Sequence, residues 1–301
     1  MSFEDAIEDF IQHLKLERGL SANSLAAYRA DLRDLWTTAK QADYKAVTSQ
    51  QINQYFNRLA AKGRKPATLA RKLSASKRFF QYLCAKDKSL RDPTTGYRAP
   101  RISRYHPDYL TVEEIERILD ATKLDPKLEG RDRAVIELLY GCGLRISELL
   151  DLKVGDFEFE AGFVRVIGKG NKQRLVPLGR FAREAVERYL DSPGRARFLT
   201  DSGRYLLINP NGKRLSRVGL WKSIRKLVTR AGITKSVTPH TFRHSFATHL
   251  LAGGADLRTV QEMLGHADIS TTEIYTQIDQ GYIVAEHRRH HPRELAGFRR
   301  K

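Results

Sequence analysis

The sequence predicts a mainly α-helical, two-domain protein with one small antiparallel β-sheet in its C-terminal domain. Apolar residues recur at helical spacing through residues 2–98 and resume beyond 110, the pattern of helices that bury one face. Between these stretches, residues 99–109 carry no such period and are punctuated by Ala99-Pro100 and His106-Pro107, which marks an interdomain linker. Residues 157–178 alternate or run apolar with β-branched side chains, as short paired strands do.

Phe3, Ile7, Phe10, Ile11 and Leu14 define a first helix, and Ser21 opens a second through Leu25, Tyr28, Leu32, Leu35 and Trp36. Thr48 caps a third, carrying Ile52, Tyr55, Phe56 and Leu59. Pro66 stands near the start of a fourth through Leu73, Phe79, Phe80 and Leu83, where its missing N–H would have no partner anyway. After the linker, Thr111 and Glu114 form a capping box ahead of Ile115, Ile118 and Leu119. Helices follow at 131–140 and 146–152, then strands at 157–160, 163–167 and 173–178. Helices return at 180–190 and 220–231. Thr238-Pro239 opens one that ends at Gly253-Gly254, and Asp256 caps the next as far as Gly265. Ser270 with Glu273 caps a last helix that carries Tyr275.

The 301 residues carry 53 Lys and Arg against 35 Asp and Glu, a net charge of +18. Residues 1–100 hold 18 basic and 10 acidic side chains and the rest hold 35 and 25, so the excess is spread over the chain. A spread positive charge favours a polyanion as partner, because neutralised phosphates release their counterions. No apolar run approaches the roughly 20 residues that would span a bilayer, and the N-terminal Met-Ser-Phe-Glu-Asp lacks the order of a signal peptide. Cys84 and Cys142 are too few for a disulfide framework or a thiolate zinc site. These features imply a cytosolic protein with reduced thiols and no membrane partner.

Residues 61–78 concentrate the charge: Lys62, Arg64, Lys65, Arg71, Lys72, Lys77 and Arg78 follow one another with no acidic residue between them. Such a run is either a solvated face or a phosphate-binding one. Arg98, Arg101 and Arg104 carry the charge into the linker. Lys62, Arg64, Lys65, Arg71, Lys72, Lys77, Arg78 and Arg101 are therefore the candidate DNA contacts.

A second set points to chemistry. Arg145, Lys169, His240, Arg243, His266 and Tyr275 each fall at a helix end, hairpin or loop where a side chain can reach a phosphate. Two arginines, a lysine, two histidines and a tyrosine are the parts needed to attack a phosphodiester without a metal. Arginine suits the charge that builds on the nonbridging oxygens, being always protonated and able to bind phosphate in a fork. Taken singly, each has a plain alternative: Arg145 as a partner for Glu148, Lys169 as a solvated hairpin lysine, His266 as a helix-end histidine, Tyr275 as a core aromatic. His240 and His244 have the i,i+4 spacing of a zinc pair, but residue 241 is Thr and no third ligand is evident. No metal and no cofactor is expected, and no ATP-binding motif is visible.

Gly143-Leu144-Arg145-Ile146-Ser147-Glu148-Leu149, Gly168-Lys169-Gly170-Asn171-Lys172, His240-Thr241-Phe242-Arg243-His244, Leu264-Gly265-His266 and Thr272-Glu273-Ile274-Tyr275-Thr276 resemble the motifs of the tyrosine recombinases of the phage integrase family. Residues 164–172 and 254–258 are most similar to its bacterial Xer recombinases, in particular the XerD-like branch. The resemblance implies a C-shaped clamp: a SAM-like core-binding domain at 1–98, a basic linker at 99–109 and an α+β catalytic domain at 110–301. It implies that Tyr275 attacks the scissile phosphate to form a 3′-phosphotyrosyl link and release a 5′-hydroxyl. Arg145, Arg243 and His266 would stabilise the transition state, Lys169 would protonate the leaving oxygen, His240 would help with the tyrosine proton, and Glu148 would orient the site from behind.

The resemblance also implies partners. These are double-stranded DNA bearing a short site with inverted arms, and a homo- or hetero-tetramer with a second Xer-type recombinase. An FtsK-like translocase is the activator that the resemblance to that branch implies. The tail at 283–301 would dock on a neighbouring protomer, and the reaction would pass through a Holliday junction to resolve chromosome or plasmid dimers at dif-like sites. A mobile-element integrase of the same family, a type IB topoisomerase-like enzyme and a non-catalytic DNA-binding regulator on the same scaffold are the alternatives. That the sequence begins directly with the core-binding helices weighs against the integrase. Phe242 and Gln277 stand where Xer proteins more often have leucine and histidine, and neither position is catalytic.

Overall fold

A computed structural model of the chain describes residues 2–39, 43–97, 109–126, 128–168, 173–198, 204–265 and 277–295, apart from the side chains of 277–280. The chain divides into two compact units, residues 1–105 and 106–301. Among the described residues the fold is mainly α with one three-stranded antiparallel sheet. No helix among them is long and apolar enough to cross a membrane.

The first unit holds α1 (Phe3–Leu16), α2 (Ala22–Ala39), α3 (Ser49–Ala61) and α4 (Pro66–Lys86). Its starts are written locally. Ser2 and Asp5 close a capping box on α1, Thr48 and Gln51 close one on α3, and Pro66 occupies the first turn of α4. Each arrangement satisfies or avoids N–H groups that a helix start leaves without partners. Phe3, Phe10, Phe56 and Phe79 are fully buried, and the Phe79 ring lies 5.6 Å from both Phe3 and Phe10.

The second unit begins with α5 (Val112–Thr122), opened by the Thr111–Glu114 capping box, and α6 (Glu129–Gly141). Residues 134–141 of α6 are all buried, so this helix is enclosed on every side and forms the centre of the core. A short α7 (Ile146–Asp151) leads to β1 (Phe157–Glu158), β2 (Phe163–Ile167) and β3 (Gln173–Pro177), in the order β1-β2-β3. The first strand is shorter than its sequence pattern implies, because residues 159–162 turn the chain and Phe159 stacks on Phe157 at 5.4 Å. Ile167 pairs with Gln173 and Val166 with Arg174, which sets the hairpin register.

Then come α8 (Arg180–Leu190), α9 (Pro193–Phe198), α10 (Arg217–Arg230), α11 (Pro239–Ala252), α12 (Leu257–Leu264) and α13 (Gln277–His290). The sequence pattern does not announce α9. Helix α10 starts three residues earlier than its apolar period, because the Ser216 hydroxyl accepts from the Gly219 N–H. Thr238 and Asp256 cap α11 and α12. The linker residues 99–108 and the stretch from Ser270 to Tyr275 lie outside the described residues.

The segment expected to dock on a neighbouring protomer has partners within its own chain. The docking tail expected from 283 onward is folded onto its own chain as far as Leu295. Ile283 enters the core, His287 and His291 are fully buried, and Arg293 pairs with Glu137 of α6. The physical reason is that this segment supplies side chains the α6 region needs: a cation for a buried carboxylate and aromatic rings over Tyr140 and Phe246. Residues 296–301 lie outside the described residues.

Candidate active site

The site forms where α6 ends. The chain leaves Gly141 and reverses through Gly143, whose φ of +58° belongs to the left-handed region. A Cβ there would stand 2.5 Å from the ring of Phe246, so only glycine fits. The turn brings Arg145 to the N-cap of α7, where its backbone N–H donates to Glu148 at 2.8 Å.

Glu148 is the hub. It is 3% exposed and accepts from Arg145 Nη1 at 2.7 Å and from both Nη atoms of Arg174 at 2.7 and 2.8 Å. Arg243 Nη1 stands 4.0 Å away. Burial works to raise the Glu148 carboxyl, but the fork of Arg174 and the bonds from Arg145 outweigh it and hold it at about 2. Burial, reinforced by the nearby Arg145 charge, lowers the Arg243 guanidinium to about 9, which still leaves it protonated at neutral pH.

The last three residues of the α12 segment fix the arginines. Met263 O accepts from Arg174 Nε at 3.0 Å, Leu264 O accepts from Arg243 Nη2, and Gly265 O accepts from Arg145 Nη2 at 3.0 Å. Arg243 Nη1 also donates to Gly143 O at 2.7 Å. The carbonyls at a helix C-terminus have no partners within the helix and carry its partial negative charge. Three consecutive carbonyls here each take a different guanidinium. Gly265, with φ of +64°, ends the helix, and His266 is the next residue in sequence.

Of the six proposed catalytic residues, the structure therefore gathers Arg145 and Arg243 around Glu148. His240 is exposed on the first turn of α11, three residues before the buried Arg243. Lys169, His266 and Tyr275 lie outside the described residues. Arg145 is both the partner of Glu148 and a member of the cluster, so its two sequence readings coexist. No group of three or more His, Cys, Asp or Glu side chains converges among the described residues.

Arg174 lies in none of the sequence motifs. Its signal was a charge on the apolar face of a strand: Arg174 and Val176 alternate on one side of β3, and both are buried. A charge in that register has to find a partner inside.

The DNA-contact candidates divide. Lys62, Arg64 and Lys65 are exposed around the turn from α3 to α4. Lys72 is a correction: its side chain is buried and its Nζ lies 3.1 Å from Asp31 and 2.8 Å from Asp34 of α2. Arg71 also pairs with Asp31, and Arg78 donates to the Tyr28 hydroxyl at 2.6 Å. The stretch 61–78 has no acidic residue of its own, but α2 supplies them. Lys77 is half-buried, and Arg101 lies outside the described residues.

Residues 108–281 match the phage integrase family, and residues 7–87 match the phage integrase N-terminal SAM-like domain. The tyrosine recombinase XerD of Oceanobacillus iheyensis is 43% identical over 296 residues, spanning 96% of this chain and 99% of the relative. The Tn1549 transposon integrase, solved with a circular intermediate DNA, is similar in fold at a TM-score of 0.74 and 21% identity, over 95% of this chain and 99% of that one. The XerH recombinase, solved with a palindromic difH substrate after cleavage, has a TM-score of 0.68 at 23% identity, over 94% of this chain and 84% of that one.

Proposed function

Because the chain belongs to the phage integrase family and is a site-specific tyrosine recombinase, an enzyme that cuts and rejoins DNA, we propose that Tyr275 is its nucleophile and that Arg145, Arg243 and His266 grip the scissile phosphate. The tyrosine oxygen forms a bond to phosphorus while the bond to the 5′-oxygen breaks. Lys169 gives that oxygen its proton, and His240 takes up the proton of the tyrosine. The 3′-phosphotyrosyl link keeps the energy of the phosphodiester, so the reverse attack by a 5′-hydroxyl rejoins a strand.

The observation that carries this reading is the arginine cluster on the α12 carbonyls. It fixes two guanidinia beside the residue that precedes His266, and fixed donors aimed at developing charge need no reorganisation during the reaction. The charge of +18 suits duplex DNA as substrate. The exposed Lys62, Arg64 and Lys65 would touch its phosphates, with Lys77, Arg78 and Arg101 as further contacts. By its likeness to XerD, the protein acts in the cytoplasm on a short site with inverted arms, and its role is resolution of chromosome or plasmid dimers. It does so as a tetramer with a second Xer-type recombinase, started by an FtsK-like translocase. The linker at 99–109 joins the SAM-like unit to the catalytic one, and the tail at 283–301 is the segment that would dock on a neighbouring protomer.

A nicked suicide duplex tests the nucleophile. Wild type should trap a covalent protein–DNA adduct that Tyr275→Phe does not form; an adduct with Tyr275→Phe would sink the assignment.

A further inference from the structure

We propose that Arg174 is a positioning residue for strand cleavage: it absorbs the charge of Glu148, so that Arg145 and Arg243 keep theirs for the phosphate. The inference rests on the reading that those two arginines hold the scissile phosphate.

A carboxylate as buried as Glu148 requires charged partners. Arg174 supplies the only fork among its described partners, one nitrogen on each oxygen at 2.7 and 2.8 Å, the strongest geometry such a pair can adopt. Arg145 contributes one side-chain nitrogen and its backbone N–H. Exposure separates the two roles. The Arg145 side chain is 32% exposed and keeps an open side for a ligand, whereas that of Arg174 is 8% exposed and sits behind the cluster.

Three guanidinia around one carboxylate leave the cluster at +2, well matched to a phosphate whose negative charge grows in the transition state. Without Arg174 the surplus falls to +1. Both oxygens of Glu148 would then turn to Arg145, already bonded to it, and to Arg243, already 4.0 Å away. Each arginine so engaged is drawn off the phosphate. Arg174 also holds the end of α12 through Met263 O, and its Cδ packs so closely on Gly265 that a Cβ there would lie 2.9 Å from it. The same side chain therefore sets the charge of the cluster and the position of the residue before His266.

The test is single-turnover cleavage of the suicide duplex by wild type, Arg174→Met, Glu148→Gln and the double variant, with DNA affinity and thermal unfolding measured beside it. Arg174→Met should bind DNA within about threefold of wild type and cleave roughly 100-fold more slowly. Adding Glu148→Gln to Arg174→Met should restore cleavage by about tenfold, because the carboxylate that captured the arginines is gone. A merely structural role predicts the opposite, since two core lesions add. A double variant as slow as Arg174→Met, or Arg174→Met cleaving at the wild-type rate, overturns the proposal. Should Arg174→Met fail to fold, Arg174→Lys decides: lysine keeps the charge but loses the fork, so it should cleave more slowly than wild type and be partly restored by adding Glu148→Gln, and no restoration counts against the proposal. Arg145→Ala separates the two levels, because cleavage surviving that change would instead sink the reading of the phosphate grip.

Discussion

Arg293 and Glu137 form a buried ion pair across 156 residues of sequence, with Nε 3.1 Å from one carboxylate oxygen and Nη2 on the other. Burial pushes the Glu137 carboxyl upward and the Arg293 guanidinium opposes it. The next cation is Arg133 at 3.7 Å. The pair clasps the segment after α13 to the central helix whose end carries the arginine cluster. Arg293→Met should lower the stability of the protein by about 3–5 kcal/mol, because it strands a buried carboxylate. Glu137→Gln added to it should recover part of the loss. Denaturant midpoints measure both, and an unchanged midpoint for Arg293→Met would show that the clasp contributes nothing.

Acid should loosen the same segment. His287 and His291 are fully buried with ring centroids 4.8 Å apart, and His287 Nε2–H donates to Gly141 O at 2.8 Å. Among the described residues, His287 Nδ1 and His291 Nε2 have no hydrogen-bond partner. Burial lowers His287 from 6.5 to about 4, against the opposing Gly141 bond, and lowers His291 well below 6.5. The groups around the pair, Arg288, Arg293 and His249, also disfavour a second charge there. Both folded values lie below the unfolded one, so the unfolded chain binds more protons as pH falls. The stabilisation is complete above 6.5 and drains toward 4, by up to about 1.4 kcal/mol per pH unit for each histidine. Glu148, held at about 2, loses its share only in stronger acid. Melting temperatures at pH 7 and pH 5 should differ, and His287→Phe should narrow the gap; a gap unchanged by that substitution would assign the effect elsewhere.

Gly143→Ala should damage the site from one methyl group. The backbone there has φ of +58°, and the new Cβ would meet the Phe246 ring at 2.5 Å, an overlap that costs about 1–3 kcal/mol beyond the backbone strain. Gly143 O also receives Arg243, so a shift of the turn moves a proposed phosphate ligand. We expect cleavage to fall more than DNA binding does, and Phe246→Leu to relieve the stability loss in part. Wild-type cleavage by Gly143→Ala would show that the turn tolerates a side chain.

Much of this was legible in the sequence, for a physical reason. Helix starts are encoded within four residues, so Thr48, Pro66, Thr111, Thr238 and Asp256 each mark an end that the structure keeps. The hairpin register follows from alternation, and Arg145 with Glu148 lies within one helical turn. The pairings that failed to show are distant ones. Glu148 finds Arg174 26 residues on, Glu137 finds Arg293 156 residues on, and Lys72 finds Asp31 and Asp34 on another helix. A charge alone does not announce whether it faces solvent, DNA or a buried partner. Arg174 could have been flagged by its place on an apolar strand face, but nothing local marks Lys72 off from Arg64.

That last contrast yields a prediction for the helical unit. Lys72 is buried against Asp31, itself 5% exposed, and against Asp34, which also accepts from the Tyr55 hydroxyl at 2.8 Å. Lys72→Met should therefore destabilise the unit by roughly 2–3 kcal/mol, less than a full stranded charge because Arg71 still reaches Asp31. Its effect on DNA affinity should be no more than the lost folded fraction explains. Arg64→Ala and Lys65→Ala should do the reverse, leaving the melting temperature in place while weakening binding for every sequence tested. Each phosphate contact removed should lower the slope of log affinity against log salt by about 1. Salt titrations of the three variants separate the two kinds of cation, and a reduced salt slope for folded Lys72→Met would return that lysine to the DNA-binding set.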